Sequence, residues 1–226
     1  MAKLGADIRR NSQHTGLVIA VDGPLASGKG TLARRLAEHL DLPYLDTGLL
    51  YRATARAALD AKLNFDEDDK LAQLARDLTL PIPDIDDLRS AETGAAASKV
   101  AAKPKVRAAL LELQQTFAAQ PSGAVLDGRD IGTVVCPNAD VKLWVTASEH
   151  LRAKRRQLEL TQNGKPITFD EMLAQLRERD ARDGARSDAP MQQAENAYLI
   201  DTSNLSIDAA LQVACDWVER KLADRL

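Results

Sequence analysis

The sequence predicts an α/β protein in which a parallel, doubly wound sheet of five strands is flanked by helices. Three observations carry that prediction. Short apolar runs rich in Val, Ile and Leu alternate with longer amphipathic stretches, as strands joined by helical crossovers do. A glycine-rich loop, Gly23 to Thr31, joins the first apolar run to the first amphipathic stretch. The 226 residues suffice for one core with a small appended part and fall short of two large domains.

Leu17 to Asp22 is apolar until it meets Gly23 and Pro24, which reads as a central strand buried on both faces. From Lys29 to Leu40 the residues Leu32, Ala33, Leu36, Ala37 and Leu40 recur at helical spacing, so this strand feeds a helix. Tyr44 to Asp46 follows Pro43 as a short strand. A second helix starts near Thr47, capped by the threonine hydroxyl, with Leu50, Thr54, Ala57 and Ala58 turned inward. Asp66 to Asp69 opens a third helix, and Pro81, Pro83, Asp84 and Asp86 then break the chain. Ala91 to Ala102 and Pro104 to Ala119 are helical, Pro104 suiting the first turn of the later one. Ala124 to Asp127 and Val141 to Thr146 are strands. Two charged helices follow, Glu149 to Leu160 and Phe169 to Asp183, separated by a Gln162-Asn163-Gly164 turn and Pro166, and this pair forms a lid. Tyr198 to Asp201 is the last strand, and an amphipathic helix from Leu205 to Leu222 closes the order. The expected division is a core of residues 17–59 and 121–226, including a lid at about 155–186, and an appended domain of residues 60–120; residues 1–16 read as a flexible polar tail.

Composition narrows the function classes. Hydrophobic residues at 45% and charged residues at 28% fit an ordinary globular chain, while aromatics at 4% leave Leu, Val, Ile and Ala to fill the interior. A formal charge of -3 argues against a general nucleic-acid binder, so any anion site is local. Cys136 and Cys215 form no CxxC motif, which disfavours a disulfide scaffold or a zinc site and points to a reducing, cytoplasmic setting. No stretch approaches the roughly 18 apolar residues of a membrane helix, and residues 1–16 lack the apolar core of a signal peptide. Nothing in the sequence demands more than a monomer.

The loop Gly23-Pro24-Leu25-Ala26-Ser27-Gly28-Lys29-Gly30-Thr31 has the strand-to-helix context that makes a glycine-rich loop meaningful. Glycines let successive amide N–H groups turn toward one point, and the following helix presents its positive end there. Phosphate oxygens bind such a point, and Lys29 adds a full charge able to follow negative charge as it moves. A plain connecting turn is the competing reading. The sheet is therefore of the P-loop NTPase type. Gly30 stands where the general pattern has the Ser or Thr that ligates magnesium, with Thr31 one position late. That departure disfavours a switch GTPase.

Three clusters offer a second anion site. Thr47, Tyr51 and Arg52 lie within about one helical turn, offering a hydroxyl, a ring and a guanidinium, although an exposed helix start looks similar. Asp127-Gly128-Arg129-Asp130 follows a strand at its carboxyl end, where open α/β sheets bind ligands, although Asp and Gly are also turn residues. Asp127 is suited to orienting magnesium-bound water, Arg129 to phosphate, and Asp130 to an amino donor on a base edge. Arg179, Arg182, Asp183 and Arg186 share one helical face, against the alternative of a solvated face laced with ion pairs. Planar guanidinium forks match phosphate oxygens better than ammonium does.

With these segments, ASKVAAKPKVR, LDGRDIGTVVCPNADVK, RERDARDGAR and LIDTSNLSID in this order and spacing, the chain resembles bacterial cytidylate kinases over roughly residues 17–222. The resemblance implies ATP with magnesium as phosphoryl donor, the metal held mainly through phosphates and water, and CMP or dCMP as acceptor in pyrimidine nucleotide metabolism. It assigns Thr47, Arg107 and Asp130 to the cytosine, with Tyr51 walling that pocket. Arg52, Arg129 and Arg186 grip the acceptor phosphate, while Ser98, Arg179 and Asp183 read the ribose hydroxyls. Arg156 and Arg182 close on the ATP phosphates from the lid, and Lys29, Asp127, Arg129 and Arg182 are the expected catalytic set. Longer members of the family carry a small antiparallel sheet in the acceptor domain, whereas Leu80 to Gly94 is too short for three strands. A trimmed, mostly helical acceptor domain is expected instead. The rival readings are a kinase of another small acceptor, such as UMP, AMP or shikimate, and a nucleotide-binding switch or RNA-binding module that hydrolyses ATP slowly.

Overall fold

A computed structural model describes residues 16–83, 86–162 and 164–223. The tail expected over residues 1–16 therefore falls almost wholly outside the described residues, as do Asp84 of the chain break and Asn163 of the lid turn. Five parallel strands, β1 (Val18–Asp22), β2 (Tyr44–Asp46), β3 (Ala124–Gly128), β4 (Val141–Thr146) and β5 (Tyr198–Asp201), run in the order β2-β3-β1-β4-β5. β1 is central, as its apolar run requires. Its residues alternate between two cores, with Ala20 in one and Ile19 and Val21 in the other.

The core of Ile19 and Val21 is closed by α1 (Lys29–Leu40) and, from near the C-terminus, α9 (Ile207–Ala223). The five apolar positions expected on α1 are the five it buries. The other core is built from α2 (Thr47–Asp60), α3 (Asp68–Arg76), α5 (Ala91–Val100) and α6 (Pro104–Ala118), while a short turn α4 (Asp86–Arg89) packs against α2 and α5. Residues 60–120 contain no strand among the described residues, and Pro104 occupies the first turn of α6. A third, smaller core of Ala153, Leu160, Met172 and Leu176 joins α7 (Glu149–Gln162) to α8 (Phe169–Gly184). A reciprocal cap between Thr168 and Glu171 starts α8.

Three local expectations are corrected. α2 does begin at Thr47, but its hydroxyl is not a cap: it donates to the Asp127 carbonyl oxygen at 2.8 Å. Ala55, not Ala57, is buried on that helix, because α5 packs along it and shifts the buried stripe. Asp86 opens α4 rather than breaking the chain. No helix among the described residues is long and apolar enough to cross a membrane.

Candidate active site

All five strands point their carboxyl ends the same way, so Asp22, Asp46, Asp127 and Thr146 reach one edge of the sheet, with the glycine loop above β1. Gly23 is required by space: a Cβ there would meet the Val145 carbonyl oxygen at 2.0 Å. Gly28, at φ +89, stands at the amino end of α1, where no side chain caps the first turn. The loop carbonyls are tied from behind. Thr202 Oγ1 donates to Ser27 O at 2.8 Å, Arg155 Nη1 to the same oxygen at 3.4 Å, and Arg152 Nη1 to Leu25 O at 3.2 Å. The loop amides and the first turn of α1 are thus left as donors for an anion.

A cavity of about 590 Å³ opens on this loop. Leu25 to Thr31 line one end; Thr47, Tyr51, Arg52, Ser98, Arg107 and Asp130 line the other; Arg129, Arg156, Arg179, Asp183 and Arg186 also line it. Segments far apart in sequence are brought together here. Gly23, Pro24 and Arg182 are not among the lining residues. Arg182 Nη1 donates to Ser98 Oγ at 3.0 Å and its Nη2 pairs with Glu178, so it bridges α8 and α5. Arg186 lies beyond the end of α8 at Gly184, so the helical stripe drawn from sequence stops short of it.

Near the loop, Lys29 Nζ lies 3.9 Å from Asp127 Oδ2, and the Tyr44 hydroxyl donates to Asp127 Oδ1 at 2.6 Å. Burial, then the Arg129 charge, pushes Lys29 down to about 8. Burial, then the Asp46 charge, pushes the Asp127 carboxyl up to about 7. An anion entering beside Lys29 would raise it again and extend the ammonium form to higher pH.

Asp183 is almost wholly buried and organises three cations. Arg186 Nη2 bonds its Oδ1, while Arg129 Nε and Arg179 Nε lie 3.3 Å and 4.0 Å from its Oδ2. Burial, then the Arg129 charge, lowers Arg179 to about 9. The Nε atoms of Arg179 and Arg186 are buried without a hydrogen-bond partner. Arg52 donates to Leu88 O at 2.8 Å and its guanidinium lies against Gly94, where a Cβ would be 3.2 Å from Nη1.

At the far end, Arg107 Nη2 and Asp130 Oδ2 form a buried ion pair, with Arg107 5.8 Å from the Tyr51 ring centroid. Burial pushes the Asp130 carboxyl up against the pull of Arg107 and Arg186. The pair presents a carboxylate and a guanidinium edge in a dry place.

Sequence reasoning missed Tyr44, Asp46, Arg34, Arg35 and Glu159 in the lining, and Arg152, Arg155 and Thr202 behind the loop. A signal existed for three of these. Tyr44 and Asp46 share a face of β2 by the period of two, and Thr202 directly follows β5 at the ligand-bearing edge. The arginines on α7 carried none.

A protein-family model described as cytidylate kinase matches residues 19–220. A cytidylate kinase of Xanthobacter autotrophicus is 54% identical over 209 residues, covering 92% of this chain and 100% of that one. Those of Methylocella silvestris and Caulobacter vibrioides are each 52% identical, covering 90% of this chain and 94% and 96% of theirs. Among solved structures, a gluconokinase from Sinorhizobium meliloti superposes with a TM-score of 0.50 at 14% identity, covering 94% of this chain and 97% of that one. An uncharacterized protein from Eubacterium ventriosum gives 0.53 at 13%, covering 90% and 98%. At such identities these two speak for the fold alone. The match of the family model, and of relatives at half identity along nearly their whole length, spans both ends of the cavity, and the chain belongs to the cytidylate kinase family.

Proposed function

We propose that the protein transfers the terminal phosphoryl group of ATP to CMP and dCMP in pyrimidine nucleotide metabolism, acting as a cytoplasmic monomer. The observation that carries this reading is one cavity with a glycine-loop anion site at one end, a buried carboxylate–guanidinium pair at the other, and an arginine cluster gathered around Asp183. A cytosine presents an amino donor that Asp130 accepts, while Arg107 faces its carbonyl. Uracil would set a carbonyl against the carboxylate, an unpaired contact worth a large loss.

Transfer runs in line from ATP to an acceptor phosphate that is already an oxyanion, so no general base and no covalent enzyme intermediate are needed. Lys29 follows the charge on the moving group. Arg52, Arg129 and Arg186 hold the acceptor phosphate, Ser98, Arg179 and Asp183 the ribose, and Arg156 the donor phosphates. Arg182 reaches the donor only after its bond to Ser98 opens, which lid closure on both substrates provides; closure also excludes water from the reacting group.

Among the described residues no group of three or more His, Cys, Asp or Glu is arranged to hold a metal. Asp127 Oδ2 lies only 3.6 Å from where a Cβ on Gly30 would stand, so no side chain intervenes between this carboxylate and the loop. That donor set fits magnesium held through phosphates and water, whose waters Asp127 and Asp46 would orient. Magnesium would supply neutralisation of phosphate charge.

An ADP-release assay across CMP, dCMP, UMP and AMP tests the reading. CMP and dCMP should be turned over at least about tenfold faster than UMP or AMP, in line with the cost of an unsatisfied buried group. Equal rates for CMP and AMP refute it. Turnover of CMP that survives Arg52→Ala and Arg186→Ala unchanged refutes the assignment of the acceptor phosphate.

A further inference from the structure

Asp22 is a buried carboxylate for which the phosphoryl-transfer reading has no use. It ends β1, one residue before the glycine loop, and is 4% exposed. Its Oδ1 accepts the Ile131 N–H at 2.8 Å and its Oδ2 the Gly132 N–H at 2.7 Å. These amides open a π-helical turn, Ile131–Val135, whose N-cap position is held by Asp130. The Asp130 carbonyl oxygen accepts the Val134 and Val135 N–H groups at 2.9 and 3.2 Å.

An aspartate at the start of a helical turn ordinarily spends its own carboxylate on the first free N–H groups of that turn. Asp130 does not: no side-chain cap is made, and its carboxylate pairs with Arg107 in the cavity. We propose that Asp22 is a positioning residue for acceptor recognition: it caps the turn in place of Asp130 and so releases the Asp130 carboxylate to face the acceptor base. The strand that launches the ATP-binding loop thereby also sets the base-reading group, and both ends of the cavity are referred to one rigid element. This inference rests on the reading of the acceptor as a cytidine monophosphate.

Asp22→Asn keeps the shape and removes one acceptor, leaving an amide N–H facing a backbone N–H. The Asp130 carboxylate is then drawn back to the orphaned amide. The KM for CMP should rise tenfold or more and the preference for CMP over UMP should fall by a similar factor, while the KM for ATP moves less than about threefold; these ratios are independent of how much of the preparation is folded. In an Asp130→Ala background the same substitution should add under twofold to the KM for CMP. Asp22→Ser shortens the side chain and leaves a single oxygen that cannot span the Ile131 and Gly132 amides, which Asp22 Oδ1 and Oδ2 hold separately. It should raise the KM for CMP threefold or more, and it carries the test if Asp22→Asn does not fold. An unchanged KM for CMP, equal rises for CMP and ATP, or full additivity with Asp130→Ala overturns the proposal. Wild-type enzyme without a preference for CMP would overturn the functional reading instead, and a CMP-selective wild type with an unaffected Asp22→Asn only the role of Asp22.

Discussion

Asp183→Asn is the most informative single change at this site. The carboxylate is 3% exposed and is shared by Arg186, by Arg129 at 3.3 Å and by Arg179 at 4.0 Å. Removing the charge leaves three largely desolvated guanidinium groups repelling one another. Breaking a buried pair by deleting one partner costs about 3–5 kcal/mol. Arg179 keeps some solvent contact and asparagine keeps an acceptor, so the lower end applies, about 3 kcal/mol. For a protein of this size each kcal/mol shifts Tm by about 2–4 °C, giving a fall of roughly 6–12 °C. Inorganic phosphate supplies a compensating anion; at one fixed phosphate concentration the variant should bind it more tightly than wild type and so gain more stability, about 2.7 kcal/mol where that concentration is about 100 times the variant's Kd. Thermal unfolding followed by circular dichroism, with and without phosphate, measures both effects. A fall under about 2 °C, or an equal phosphate response in variant and wild type, refutes the argument that Asp183 holds the cluster together.

Gly94→Ala places a methyl group 3.2 Å from the Arg52 guanidinium, which must shift; kinetics with varied CMP should show a higher KM, by about threefold to tenfold, at little cost in Tm. Gly128→Ala is harsher, because the new Cβ would lie 2.7 Å from Thr47 Oγ1 and 2.8 Å from Ile131 Cδ1. Overpacking of this kind costs about 1–3 kcal/mol, read as a lower urea midpoint with an unchanged slope. The pH profile follows from Lys29, whose folded value of about 8 is lowered by burial. The ammonium is present below that pH and lost above it, so kcat/KM for ATP should decline as pH rises through about 8, and kcat, measured with phosphate bound, should decline only at higher pH. Coincident limbs in the two profiles would show that phosphate does not restore the lysine charge.

Elements whose cause is local were legible in the residues. α1 and its five buried positions follow from helical spacing, and the centrality of β1 from a run too apolar to face water on either side. The glycine loop was readable because the angles at Gly28 and the contact at Gly23 leave few residues possible. At the acceptor end, residue types and order indicated which groups to expect and not how they meet. Arg182 shares a helical stripe with Arg179 and Asp183, yet a serine on α5, 84 positions away, captures it.

Local spacing and residue chemistry thus determined the strands, the helices, the phosphate loop and the identity of the groups available for recognition, because each depends on neighbours within a turn or two. Packing alone decided that the Thr47 hydroxyl braces Asp127 across 80 residues, that Thr202 ties down Ser27 across 175, and that Asp22 holds the turn after Asp130. A hydrogen bond between distant segments leaves no periodic trace in the chain. It exists only once burial has brought those segments to the same edge of the sheet and removed the water that would otherwise satisfy them.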